Sequence, residues 1–281
     1  MHQISSGTRN MTDFSTYSKV RYLIPGNKKP VYFASKGGAE AQLNINADFE
    51  DIEVKINDGR CLNPPANLDK EGFELHDHKS MIADFYEIKN QQAKYEAELT
   101  NLVLPIIGGE KLVVFDHTLR SDSAEIREAH KIREAATVVH NDYTFNSAHK
   151  RVRDLLDHDE AEAKLKNRFV IVNVWRAIAG PAISSPLTCC DAQSVSEENV
   201  FASERRAKDR IGELELVSRS VDHKWYYYPE MNRDEVLLIK TFDSAADGRA
   251  TRSVHTAFRN HLAPIDCPPR ESIESRMMVF F

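Results

Sequence analysis

The sequence predicts a mainly β protein with some α, a barrel or sandwich of strands buttressed by helices. Three observations point there: β-branched and aromatic runs recur through the second half of the chain, apolar residues at helical spacing are confined to two windows, and Gly and Pro mark the boundaries between them. Taken in order, residues 1–30 show little pattern, and Gly26-Asn27 and Pro30 precede a short apolar run at 31–34. After the Gly37-Gly38 turn, 42–45 and 52–56 alternate as strands do, and Pro64-Pro65 marks a loop. Ile82, Phe85, Ile88, Tyr95, Leu99, Leu102 and Val103 predict a helix over 79–104, closed by Pro105 and Gly108-Gly109. Strands are expected at 111–118 and 137–143, then helix from about 146 to 166. The remainder reads as β: strands at 168–178, 235–242 and 272–281, and a hairpin made of 214–219 and 224–228. The expected organisation is an N-terminal segment, 1–62, with short strands packed on a core of 63–281, the two forming one continuous unit.

Bulk properties narrow the class. The 281 residues are 41% hydrophobic and 28% charged, as in ordinary globular proteins. A net charge of −6 offers no basic face, so a nucleic-acid partner is not expected. No apolar run is long enough for a membrane helix, and residues 1–19 lack the apolar core of a secretory signal. Cys61, Cys189, Cys190 and Cys267 form no CxxC pair and read as reduced thiols in a cytoplasmic protein of unspecified oligomeric state.

The chemistry-bearing residues begin with His140-Asn141-Asp142 inside a strand-like run. Alternation puts His140 and Asp142 on one face, so an imidazole and a carboxylate can reach the same ion. Alone, this pair is a weak signal. A second histidine, His255, opens the segment SVHTAF, and Arg270 and Ser272 follow in the run RES. Two histidines and one carboxylate leave a face of iron(II) open, as an oxygenase needs. An arginine beyond the second histidine can hold a carboxylate bidentately, with the serine as a further donor. This order is that of a double-stranded β-helix (jelly-roll) oxygenase. Arg276 shares the parity of Arg270, so either could be the clamp. Asn173, Trp175 and Arg176, in the 168–178 strand, are candidates for the substrate pocket.

Several side chains admit a plainer reading. His117, in FDHT, is a rival ligand or a structural neighbour of Asp116 and Arg120. His76-Asp77-His78 looks metal-like but is expected in an exposed loop. Tyr226-Tyr227-Tyr228 reads as the packed face of the hairpin before it reads as a substrate wall.

The phrases FDHTLR (115–120), VHNDYT (139–144), VNVWRAIAGP (172–181), SPLTCCDAQSV (185–195), KTFDS (240–244), HTAF (255–258) and PRESIESR (269–276) together resemble the fungal and bacterial hydroxylase/desaturase family of iron(II)/2-oxoglutarate-dependent oxygenases. The resemblance runs from about residue 63 to the C-terminus. It implies a double-stranded β-helix, iron(II) held by His140, Asp142 and His255, and 2-oxoglutarate held by Arg270 and Ser272 or by Arg276. It also implies O2 as the second co-substrate. The expected reaction activates a C–H bond of a small molecule of specialised metabolism, for hydroxylation, desaturation or ring closure, with release of succinate and CO2. Segments around the His140 strand and the irregular stretch 180–199 are expected to build the mouth, where 183–195 could act as a lid, and changes at Arg176 or in 183–195 are expected to alter substrate affinity or products. Two other readings remain open: a zinc hydrolase built on the same ligands, and a non-catalytic barrel-fold partner in a biosynthetic pathway.

Overall fold

Two facing sheets make the body of the molecule. The computed structural model describes residues 13–207 and 210–281. The ten-stranded sheet contains β1 (Thr16–Leu23), β2 (Val31–Phe33), β3 (Asn44–Asn46), β4 (Phe49–Asp58), β7 (His140–Asn141), β9 (Leu187–Cys190), β10 (Val200–Ala207), β11 (Arg210–Val217), β12 (Trp225–Tyr227) and β14 (His255–Ala257), in the order β1-β4-β12-β9-β14-β7-β11-β10-β2-β3. The five-stranded sheet has β5 (Phe73–Asp77), β6 (Lys111–Ser121), β8 (Phe169–Ala177), β13 (Glu235–Asp243) and β15 (Glu271–Phe280), in the order β5-β13-β8-β15-β6. The helices are α1 (Gln92–Ile107), α2 (Ala124–His130), α3 (Phe145–Leu155) and α4 (His158–Lys164). The larger sheet is strongly curled, and with its partner it makes the jelly-roll core that the sequence predicts.

Strand β8 is buried at every position because both its faces are covered. Val172 and Val174 pack outward beneath Tyr95, Leu99 and Val103 of α1. Trp175 and Ala177 face inward, against Leu187 and Cys189 of β9. Burying each large apolar side chain completely stabilises the fold by about 1.5–3 kcal/mol, so α1 and β9 together hold the five-stranded sheet in place.

Four expectations need correction. Residues 16–23 are a regular strand, not a loosely organised segment. The buried face of β1 is Thr16, Ser18, Val20 and Tyr22, half of it polar, which hides the alternation. Residues 1–12 lie outside the described residues. The helix expected from 79 starts at 92, because the Ser80 hydroxyl and the Asp84 carboxylate accept the backbone N–H of Ile82 and Tyr86 and hold the chain in turns. Pro105 lies inside the last turn of α1, and Gly108, in the left-handed conformation at φ 80°, ends it. The expected hairpin of 214–219 and 224–228 does not form: β11 pairs with β10 and β7, while β12 lies between β4 and β9. Finally, 180–199 is not one irregular lid, since β9 crosses it as a fully buried strand of the larger sheet.

Candidate active site

The first candidate ligand sits on a very short strand. Only His140 and Asn141 of the expected 137–143 run are β; His140 is in register with His255 of β14 on one side and with Leu216 of β11 on the other. The intervening Asn141 is fully buried and its amide donates to the carbonyls of Tyr143 and Thr241 and to Glu215. That anchor fixes the turn in which Asp142 swings back beside the two rings.

His140 Nδ1 lies 2.8 Å from the carbonyl oxygen of Val138, and His255 Nδ1 lies 3.0 Å from that of Ser253. A carbonyl can only accept, so each Nδ1 carries the proton and each Nε2 presents a lone pair. The ring centroids are 4.5 Å apart, and His140 Nε2 is 3.6 Å from Asp142 Oδ1. The ligand atoms of His140, Asp142 and His255 all lie within 4.8 Å of one another. Burial, and then the neighbouring His255, push His140 down to about 3, so its imidazole is neutral and ready to ligate.

The other Asp142 oxygen, Oδ2, accepts from Asn173 Nδ2 at 2.8 Å and from Arg276 Nε at 2.9 Å. Burial alone would raise the Asp142 carboxyl; the Arg276 guanidinium, the two histidines and the Asn173 hydrogen bond together outweigh it and hold the group well below the usual carboxylate range. Donors on Oδ2 leave Oδ1 directed at the histidines, an outer support of the kind that orients metal-ligating carboxylates.

Arg270 and Arg276 lie on one face of the same chain run and differ completely in company. Arg276 pairs with Asp142, with Asp116 at 2.6 Å and with Glu274, and donates to Thr118. Arg270 is 2% exposed and donates from Nη1 to the Ser185 carbonyl at 2.9 Å. Its Nε and the Ser272 hydroxyl are buried and have no partner among the described residues. Its guanidinium stands 5.8 Å from the Trp175 ring centre, and burial pushes its pKa down to about 10. A buried cation next to an unpaired donor leaves a vacancy in charge that a carboxylate fits.

The three expected pocket residues part company. Asn173 positions Asp142, and Trp175 abuts Arg270. Arg176 is turned to the outer face of β8, where it donates to the carbonyls of His78 and Arg233 and lies over Phe85. Adjacent strand residues face opposite sides, so Trp175 and Arg176 cannot both line the interior. His117 also faces outward, 2.8 Å from Ser275 Oγ and beneath Glu96. His76 lies on β5 beside Glu74 and is not in an open loop. Tyr227 and Tyr228 are packed in the core.

Unforeseen in the sequence is a cavity of about 300 Å³ that reaches His140 and Asp142 from the side of β2, β6, β10 and β11. Asp116 and Arg120 line it from β6, and Arg133 and Arg205 from outside the recognised motifs. The alternation of Asp116, Thr118 and Arg120 in FDHTLR was the signal available for the first two.

A curled sheet facing a smaller one, with two histidines and a carboxylate converging between them, defines a jelly-roll oxygenase with a 2-His-1-carboxylate site. A family model described as "Oxidoreductase/YMDC permease-like domain" matches residues 20–280. No helix among the described residues is long and apolar enough to cross a membrane. The hydroxylase/desaturase CTB9 of Cercospora beticola is 31% identical over 255 residues, which are 83% of this chain and 78% of that protein. The Fe(II)/2-oxoglutarate-dependent dioxygenase nvfI of Aspergillus novofumigatus is 28% identical over 264 residues, 91% of this chain and 92% of that one. The solved structure of the iron and alpha-ketoglutarate-dependent endoperoxidase NvfI superposes with a TM-score of 0.81 at 25% identity, covering 95% of this chain and 98% of its own. The chain belongs to this family of hydroxylase/desaturases and iron(II)/2-oxoglutarate-dependent dioxygenases, and it is an enzyme of that class acting on a small molecule.

Proposed function

We propose that His140, Asp142 and His255 hold iron(II), that Arg270 and Ser272 hold the distal carboxylate of 2-oxoglutarate, and that the enzyme activates a C–H bond of a specialised metabolite. The observation that carries this reading is the convergence of three ligand atoms within 4.8 Å, two of them imidazole nitrogens left unprotonated by the backbone bonds of their rings. The donor set is one carboxylate and two imidazoles, which suits iron(II) and leaves positions open for co-substrates. When bound, iron with 2-oxoglutarate and O2 supplies the oxidising power for the C–H bond, with succinate and CO2 as the other products.

The chain's own residues do the rest. Asn173 and Arg276 hold Asp142 to one orientation. Val138 and Ser253 hold the two ring tautomers. Arg270 supplies the positive charge that draws a dicarboxylate into the apolar interior against Trp175, and the packed walls around it exclude water. Arg276 is the weaker candidate for the clamp, because its guanidinium is already engaged by three carboxylates. We further infer that residues 1–62 and 63–281 work as one unit, and that the protein is cytoplasmic and has no nucleic-acid partner. The four free cysteines and the net charge of −6 support the last two points.

The test is an anaerobic titration with iron(II) followed by a single turnover in O2. One iron per chain and stoichiometric succinate are expected. Tight zinc binding with no 2-oxoglutarate consumption would favour a hydrolase, and absence of any metal binding would favour a non-catalytic partner protein.

A further inference from the structure

The cavity beside His140 and Asp142 carries more positive charge than an iron site requires. Five arginines line it, Arg120, Arg133, Arg151, Arg205 and Arg276, against three carboxylates, Asp116, Asp142 and Glu213. The carboxylates are already occupied: Asp116 and Asp142 by Arg276, and Glu213 by Lys29 and Thr144. Among the described residues, Arg120, Arg151 and Arg205 contact a carbonyl and rings instead of pairing with acids. Arg120 donates to the Glu134 carbonyl at 2.8 Å. Arg205 lies 5.8 Å from the centre of the Tyr32 ring and Arg151 4.8 Å from that of Phe115, with the Arg151 Nε buried and unpartnered among the described residues. Burial, then Arg120 and Arg205, push the Arg133 guanidinium below its ordinary value, which places three like charges around one space. Like charges facing a partly desolvated cavity repel until an anion enters. Tyr32, Ile45 and Leu216 are among the apolar residues of its wall.

We propose that this cavity binds the primary substrate as a compact lipophilic acid. Its carboxylate sits on Arg133 and Arg205, its apolar body lies against Tyr32, Ile45 and Leu216, and a C–H bond faces the edge formed by His140 and Asp142. The inference rests on the iron and Arg270 reading above and adds to it the class of substrate. Guanidinium forks match a carboxylate bidentately, and the ring beneath Arg205 restrains its fork before the ligand arrives. A volume of about 300 Å³ suits a ligand at the small end of the usual range. 2-Oxoglutarate, itself a dicarboxylate, is the rival occupant of the arginine cluster.

The experiment uses the anaerobic iron(II) protein saturated with 2-oxoglutarate and titrates it calorimetrically with 2-naphthaleneacetic acid and with its methyl ester. Bodies of equal shape isolate the charge. The acid is expected to bind at least about tenfold more tightly than the ester, the scale of a charge-assisted bidentate contact. That preference disappears in Arg133→Gln and in Arg205→Gln and is partly kept in Arg205→Lys. In separate titrations, 2-oxoglutarate binds all three variants as it binds the parent protein. Equal binding of acid and ester, binding of neither, or an acid preference that survives both glutamine variants overturns the proposal. So does a loss of 2-oxoglutarate affinity in Arg133→Gln or Arg205→Gln, since the cluster would then be the co-substrate's seat. Failure of the underlying reading gives a different result, normal 2-oxoglutarate binding in Arg270→Gln.

Discussion

Two arginines of β15 and its approach share a face and a neighbourhood, and both are largely buried, yet they do opposite things. Arg276 is saturated by Asp142, Asp116 and Glu274, so its charge is consumed in building the protein. Arg270 has a carbonyl, an aromatic ring and an unpaired serine beside it, so its charge is left for something that arrives. Burial therefore does not distinguish a scaffold arginine from a binding arginine. The counter-charge does, and parity along a strand cannot reveal it.

The largest effect comes from removing what Arg276 serves. Asp142→Ala takes away a ligand and should abolish iron binding and turnover together, read as metal content and succinate formed. Next is Arg276→Ala, which leaves the largely buried Asp142 and Glu274 carboxylates without their cation; breaking such buried pairs typically costs about 3–5 kcal/mol, to be measured by urea unfolding of the metal-free protein. Arg270→Gln should behave in the contrary way. It removes a charge that makes no ion pair among the described residues, so the metal-free fold keeps its stability or gains some, while the 2-oxoglutarate constant rises by about 2–5 kcal/mol equivalent. Reversal of these two phenotypes would mean that Arg276 is the clamp. Smallest is Asn173→Ala, which deletes one of two donors to Asp142 Oδ2 and should weaken iron binding about 10–100-fold, with 2-oxoglutarate affinity of the iron-loaded enzyme unchanged.

Sequence reading reached the jelly-roll class and the three candidate ligands because those features are local or ordered: HxD spacing, a later histidine, strands rich in β-branched residues. It missed what depends on pairing between distant segments. β1 hides its alternation behind buried Thr16 and Ser18. β9 reads as an irregular linker because Thr188 is the one β-branched residue of its four, and its neighbours β12 and β14 make it a strand. The outward turn of Arg176 follows from one-residue alternation beside Trp175, which needs a decision about which of the two faces inward. Arg133 and Arg205 belong to no motif, and folding alone brings them to one cavity.

The two candidate histidine ligands ride on very short strands of the larger sheet, two residues in β7 and three in β14. So few ladder bonds make this the seam where the native structure can part most cheaply, while β8 and β15 stay closed. A metal joining His140 to His255 would act as a late cross-link between segments far apart in the chain, fastening a seam that folding has already aligned. Loss of the ion should then loosen the barrel along one line without unfolding it. Amide exchange at 138–143 and 253–257 would quicken in metal-free protein, with the amides of β8 unaffected.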